Sequence, residues 1–282
     1  MTELDGVRAG VLPVWHWEIA VYLFLGGLAA GLMILGSILG RRPGSSRAMG
    51  FVPLLAPAAL SVGMLALFLD LERKLHVFQF YTSFRVTSPM SWGAWILVAV
   101  YPATILLGLA RMGTVPIRDV RRLEQANVVL GIALGTYTGI LLATLSARAL
   151  WSSALLGPLF LVSGFSTAAA LVMMLRITPE ERALLRRWDV AAIAVELALL
   201  ALLFVHLAAA GARGRAAAAL FFGGPWTGVF WAVVVLLGLL VPLVLESLES
   251  RRALPATLAA PALLLAGGFA LRWIFVAAGQ AL

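Results

Sequence analysis

Long unbroken apolar runs separated by short polar connections dominate the chain. A helix rising 1.5 Å per residue needs about 20 apolar residues to cross bilayer hydrocarbon. Eight runs meet that length, at roughly 17–40, 51–71, 90–110, 126–147, 154–175, 190–210, 226–246 and 257–277. None shows the alternating apolar and polar positions of a barrel strand. Helices also satisfy their own backbone groups in lipid. The pattern predicts an all-α membrane protein with eight transmembrane helices. A single integral membrane domain over residues 1–282, without a soluble appendage, is expected.

The connections alternate in charge. One side carries Arg41, Arg42 and Arg47, then Arg111, Arg118, Arg121 and Arg122, then Arg176, Arg182, Arg186 and Arg187, then Arg251 and Arg252. The other side carries fewer cations: Arg8, Arg73, Lys74, Arg85, Arg148, Arg213, Arg215 and Arg272. The positive-inside rule assigns the first set to the cytoplasm. Both termini are then expected outside, periplasmic in a bacterium, with the protein in the plasma (inner) membrane. Residues 1–14 hold two acids and one arginine, so the first helix is expected to direct insertion.

Composition agrees. The chain of 282 residues is 62% hydrophobic and 12% charged, with mean hydropathy +1.00, which excludes an ordinary soluble globule and a disordered chain. The net charge of +8 follows from topology, so no nucleic-acid partner is invoked. There is no cysteine, which excludes disulfides, thiolate metal sites and cysteine-held iron–sulfur clusters within this polypeptide.

Small residues recur at helix-packing spacing: Gly27 and Gly31 in the first run, and Gly131, Gly135 and Gly139 in the fourth. The string Leu23–Gly27 echoes Leu159–Gly164, each followed by small residues. Four helices per repeat would give two similarly oriented four-helix bundles. The aromatic connections at 72–89 and 211–225 suit either interfacial anchoring or docking of a partner on the outer face.

Ionisable groups inside spans are costly and mark places to look for function. The first helix begins Trp15-His16-Trp17-Glu18, with Tyr22 one turn beyond Glu18. The second ends at Asp70, followed by Arg73. The fourth carries Tyr137 and leads to Arg148, and the last carries Arg272. By topology these residues share the outer leaflet. Hydrogen-bond donors, titratable groups and flat aromatics there suit a quinone, whose two carbonyls need donors and whose reduction needs two protons. Taken singly, each residue has a plainer role. Trp15 and Trp17 are placed as interfacial belt aromatics, Asp70 with Arg73 as a closing ion pair, and Tyr137 as a hydroxyl bonded to a carbonyl. Glu196 is within reach of a cytoplasmic arginine. A bis-histidine haem is not expected, because His16, His76 and His206 all lie near the outer boundary. No metal site is expected either.

Several strings resemble the NrfD/PsrC family, the integral membrane subunits of polysulfide-reductase-type and nitrite-reductase-type respiratory complexes. They are Trp17–Gly31, Asp70–Arg73, Thr87–Leu97 with its Ser-Pro-Met-Ser-Trp-Gly, Tyr137–Leu142 with its Tyr-Thr-Gly, Trp151, Phe160–Gly164, Gly267–Arg272 and Ala278–Gln280. Ser88 as a cap and Pro89 at the first helical position give the Ser-Pro patch a conformational account. The resemblance implies a haem-free eight-helix subunit that binds menaquinone or ubiquinone at the outer face. It further implies exchange of electrons with a ferredoxin-like iron–sulfur subunit docked there, beside a molybdopterin or other large catalytic subunit. His16 or Glu18, Tyr137 and Asp70 are then the expected quinone-site residues, supported by Trp15, Trp17, Arg73, Arg148 and Arg272. Glu124, Glu196 and Glu246 are candidates for a proton path from the cytoplasm. A transporter without a redox role, and an anchor lacking a quinone site, are the rival readings.

Overall fold

The computed structural model describes residues 15–70, 89–143, 148–251 and 257–281. It is all-helical over these residues: α1 Trp17–Leu39, α2 Arg47–Asp70, α3 Pro89–Arg111, α4 Val120–Ala143, α5 Leu156–Met173, α6 Pro179–Ala209, the short α7 Gly211–Ala219, α8 Thr227–Ser250 and α9 Ala259–Gln280. All but α7 are long and apolar enough to cross a membrane, which gives the eight expected spans.

The first helix is the centre of the molecule. Of its most apolar window 83% is buried, far more than in α2 or α8, and it contacts α2, α4, α5 and α9. Glycine makes that possible. A Cβ on Gly164 of α5 would fall 2.5 Å from the Gly27 carbonyl oxygen of α1, and one on Gly31 would fall 2.5 Å from the Gly164 carbonyl oxygen. The two echoing strings are thus the two faces of one close helix crossing. Further contacts join α2 to α3, α3 to α4, α4 to α5, α5 to α6 and α9, and α8 to α6 and α9.

Two elements differ from the sequence expectation. Hydropathy starts the sixth run near residue 190, yet α6 begins at Pro179 and extends over 31 residues. Thr178 and Glu181 form a capping box. The Glu181 N–H donates to Thr178 Oγ1 at 3.2 Å, and the Thr178 N–H donates to Glu181 Oε2 at 2.9 Å. With Pro179 at the first turn, this start holds a polar stretch in helix that hydropathy alone assigns to a loop. Glu181 Oε1 also accepts from the Ser46 N–H, tying the starts of α2 and α6 together. The second difference is in α8, where Phe230–Leu240 is wound as a π-helix. There Gly238 meets Gly267 of α9, backbone against backbone. The Val241 N–H still donates five residues back, to Leu236, and Pro242, which has no N–H, lies in the first turn of the ordinary α-helical remainder, Val241–Ser250.

Candidate functional site

Antiparallel connection of α1 to α2 puts the start of the first beside the end of the second. His16 caps α1 but makes no side-chain bond to the helix end, so its ring is free to turn to α2. Its Nδ1 lies 3.4 Å from Asp70 Oδ1. Glu18, in the first turn, completes a trio whose candidate ligand atoms all lie within 4.8 Å of one another. Carboxylates are favoured there by the N–H groups of a helix start. The trio is graded in access, since the His16 side chain is 59% exposed and that of Asp70 only 14%. One oxygen, Glu18 Oε2, is buried with no hydrogen-bond partner among the described residues. A buried carboxylate oxygen left so is costly, and a ligand that donates a hydrogen bond removes the penalty.

Tyr137 stands at the same end of the molecule, but deeper. Its neighbour Thr138 meets Gly26, so Tyr137 lies about 12 Å further along α1 than Glu18 at 1.5 Å per residue. It is 6% exposed and shares a buried cluster with Ile19, Tyr22 and Leu23. Its ring and hydroxyl press on Gly93 of α3, where an added Cβ would collide with the hydroxyl oxygen. Substituting Gly93→Ala is therefore expected to push the ring aside and weaken any ligand bound to that hydroxyl at least several-fold. Ligand titration against the wild-type protein measures this.

The flanking aromatics form a structural closure. The Trp15 N–H donates to Gln280 Oε1 at 2.8 Å, and Gln280 Nε2 donates to the Trp15 carbonyl at 2.8 Å. The Trp15 ring stacks on Trp151 at 5.1 Å, and Trp151 Nε1 donates to the Phe275 carbonyl. Arg148 covers Trp151 at 5.5 Å and donates to the Gly279 carbonyl. These contacts fasten the start of α1 to the end of α9. Trp17, by contrast, is half exposed. Arg73, together with His76 and Ser88, lies outside the described residues.

The remaining residues singled out in the sequence belong elsewhere. Arg272, expected to support the outer pocket, is fully buried between α5 and α9. Its Nη1 donates to Ser163 Oγ at 2.5 Å and to the Gly268 carbonyl at 2.9 Å, and its Nη2 donates to the Phe160 carbonyl at 3.1 Å. Gly27 and Gly268 line the slot it occupies, and Glu196 faces it. Glu196 therefore meets a cation from within the membrane domain, not one from a cytoplasmic loop. Glu124 is held by Arg41 Nε at 2.7 Å and Arg111 Nη2 at 2.9 Å, and Arg111 also donates to the Gly36 and Ser37 carbonyls. Both its oxygens are engaged, so its role is to lock α1, α3 and α4 together. Glu246, 1% exposed, faces Asp189 of α6. Hydropathy misses Asp189, which lies one residue before the expected span; the Thr178–Glu181 capping box is the signal that places it inside a helix.

A family model described as "Polysulphide reductase, NrfD" matches residues 9–282. The sequence is 32% identical to Protein NrfD of Escherichia coli (strain K12), with 95% of both proteins covered. It is also 32% identical to the C-chain of polysulfide reductase from Wolinella succinogenes, over 95% of this protein and 94% of that one. Protein NrfD homolog of Haemophilus influenzae is 26% identical over 85% of both proteins. A match spanning nearly every residue, together with eight membrane-crossing helices, shows that this protein belongs to the NrfD family of integral membrane proteins.

Proposed function

We propose that this protein is the haem-free, quinone-reacting membrane subunit of a respiratory oxidoreductase. Electrons pass between menaquinone or ubiquinone and an iron–sulfur subunit docked on the outer face. The observation that carries this reading is the His16–Glu18–Asp70 trio, with its unpartnered Glu18 Oε2, at the same end of the molecule as Tyr137. The similarity to the polysulfide reductase protein of Wolinella succinogenes, named as one of several chains of a reductase, supports a multi-subunit setting.

A quinone, when bound, supplies two-electron, two-proton chemistry at the edge of the lipid phase. The protein's own groups do the rest. Glu18 Oε2 accepts a hydrogen bond and then the proton. Asp70 holds the exposed His16 ring, which passes that proton to water. The Tyr137 hydroxyl, lying deeper, donates a hydrogen bond to an acceptor. With no cysteine in the sequence, a thiolate-held cluster sits on a partner, ferredoxin-like in kind, beside a molybdopterin or other large catalytic subunit. We further infer two four-helix bundles in the inner membrane, with both termini on the outer side.

The test is quinol-driven reduction of the partner clusters in membranes carrying the whole complex. His16→Ala and Tyr137→Phe are each expected to slow it at least tenfold, within the usual range for a lost proton-transfer group. Wild-type rates in both variants would overturn the assignment, and quinone-free purified complex would leave only an anchor.

A further inference from the structure

At the end of the molecule opposite the trio, α6 and α8 bury, besides the capping Glu181, the ionisable side chains of Arg186, Asp189, Glu246 and Glu249. Two of them neutralise each other. Arg186 Nη2 lies 2.9 Å from Glu249 Oε2, and Glu249 Oε1 accepts from the Thr257 N–H at 2.9 Å and from its hydroxyl at 3.1 Å. Both Glu249 oxygens are thus engaged, one of them by Arg186. The other buried cation of this half, Arg272, is taken by Glu196, Ser163 and two carbonyls. Asp189 and Glu246 are left facing each other, with Arg186 near Glu246 but its Nη2 contact made to Glu249.

Their surroundings sharpen the point. Asp189 is 0% exposed and Glu246 1%, and all four carboxylate oxygens are buried without a hydrogen-bond partner among the described residues. Ser166 Oγ of α5, also buried and unpartnered, stands beside Asp189. The charged groups that face the pair are Arg186 and Glu196 on α6 and Glu249 on α8, with Ser166 the polar contribution from α5; Arg272 of α9 faces Glu196. Two adjoining carboxylates cannot both stay ionised in so dry a place. A proton on one of them removes the surplus charge and supplies the donor that both lack.

We propose that Asp189 and Glu246 share one exchangeable proton and act as a proton-storing station inside the membrane domain. The proton is taken from water at the Arg186–Glu249 end onto a carboxylate oxygen, with no bond to carbon made or broken and no electron moved. Asp189 lies seven residues before Glu196, two turns back on the same face of α6, so the next acceptor along that face is Glu196 beside Arg272. The station itself is independent of the quinone reading, and only the proton's destination rests on it.

Infrared spectroscopy of the intact complex in liposomes, after extraction of its quinone, tests this directly. The wild type is expected to show a protonated-carboxyl stretch at neutral pH that shifts in D₂O. Asp189→Asn and Glu246→Gln should each abolish it, and Ser166→Ala should shift it without removing it. A band unchanged in both carboxyl variants, or one that never responds to D₂O, would overturn the proposal. Should the two amides fail to assemble, Asp189→Glu keeps a carboxyl in place and must move the band. His16→Ala and Tyr137→Phe leave the band intact whatever they do to quinol oxidation, so failure of one reading is separable from failure of the other.

Discussion

Replacing Arg272 with methionine is expected to destabilise the membrane domain by about 3–5 kcal/mol, the usual cost of removing one partner from a buried charged network. Methionine retains much of the length and apolar volume of the stem, so packing loss is a small part of that figure. The larger part is what the guanidinium leaves behind. Ser163 Oγ and the Phe160 and Gly268 carbonyls lose their donor, and Glu196 becomes a buried carboxylate with no cation facing it among the described residues. The guanidinium also stacks on Phe160 at 5.0 Å, a contact strengthened where water is excluded. The measurement is the apparent melting temperature of the purified complex, which should fall by many degrees in Arg272→Met. Adding Glu196→Gln removes the orphaned charge and should recover a clear part of the loss, because residues in one network are not additive. Equal stability of wild type and single variant would mean that the slot between Gly27 and Gly268 does not hold a working ion pair.

That network also shows why the sequence can be read only so far. Eight spans are legible because lipid demands a length and an apolarity that few other segments share. The trio of His16, Glu18 and Asp70 is within reach because a short connection makes α1 and α2 antiparallel, so residues at the beginning of one and the end of the other must be neighbours. The same logic assigns Arg272 to the same leaflet, yet leaflet fixes depth and not direction. Its side chain turns toward α5, where Ser163 and the Phe160 carbonyl are available, a choice set by packing of helices distant in sequence. The pairing of Glu124 is hidden for a related reason, since nothing in its own segment announces that Arg41, 83 residues away, will reach it. Asp189 is hidden differently. Hydropathy starts the sixth run near residue 190, whereas the helix start is governed by the Thr178–Glu181 cap, and Glu181, Arg186 and Asp189 in the first third of α6 are buried. The carboxyl pair is therefore visible only once three helices are assembled.

Enlarging Gly164 to valine is expected to be more damaging still, preventing stable assembly of the domain. Between apolar helices in lipid there is no gain from expelling water, so close packing carries the association. The Cβ position at Gly164 lies 2.5 Å from the Gly27 carbonyl oxygen, 2.7 Å from its carbonyl carbon and 2.9 Å from its Cα. All three are backbone atoms of the central helix, so no rotamer change gives relief and α1 and α5 must separate. Overpacking of a well-filled core commonly costs about 1–3 kcal/mol where side chains yield, and more is expected where only backbone is met. The damage would extend to function, because α1 carries His16 and Glu18 while α5 carries Ser163 and Ser166 beside the buried ionisable groups. Gly50→Ala supplies the control. That glycine lies in α2 with nothing within 4 Å of the Cβ position, and alanine there should be neutral or stabilising by about 0.5–1 kcal/mol. Yield of monodisperse complex from detergent-solubilised membranes separates the outcomes. Gly164→Val should leave little or none, and wild-type yield in that variant would refute the backbone-to-backbone crossing of α1 and α5 on which both candidate sites are hung.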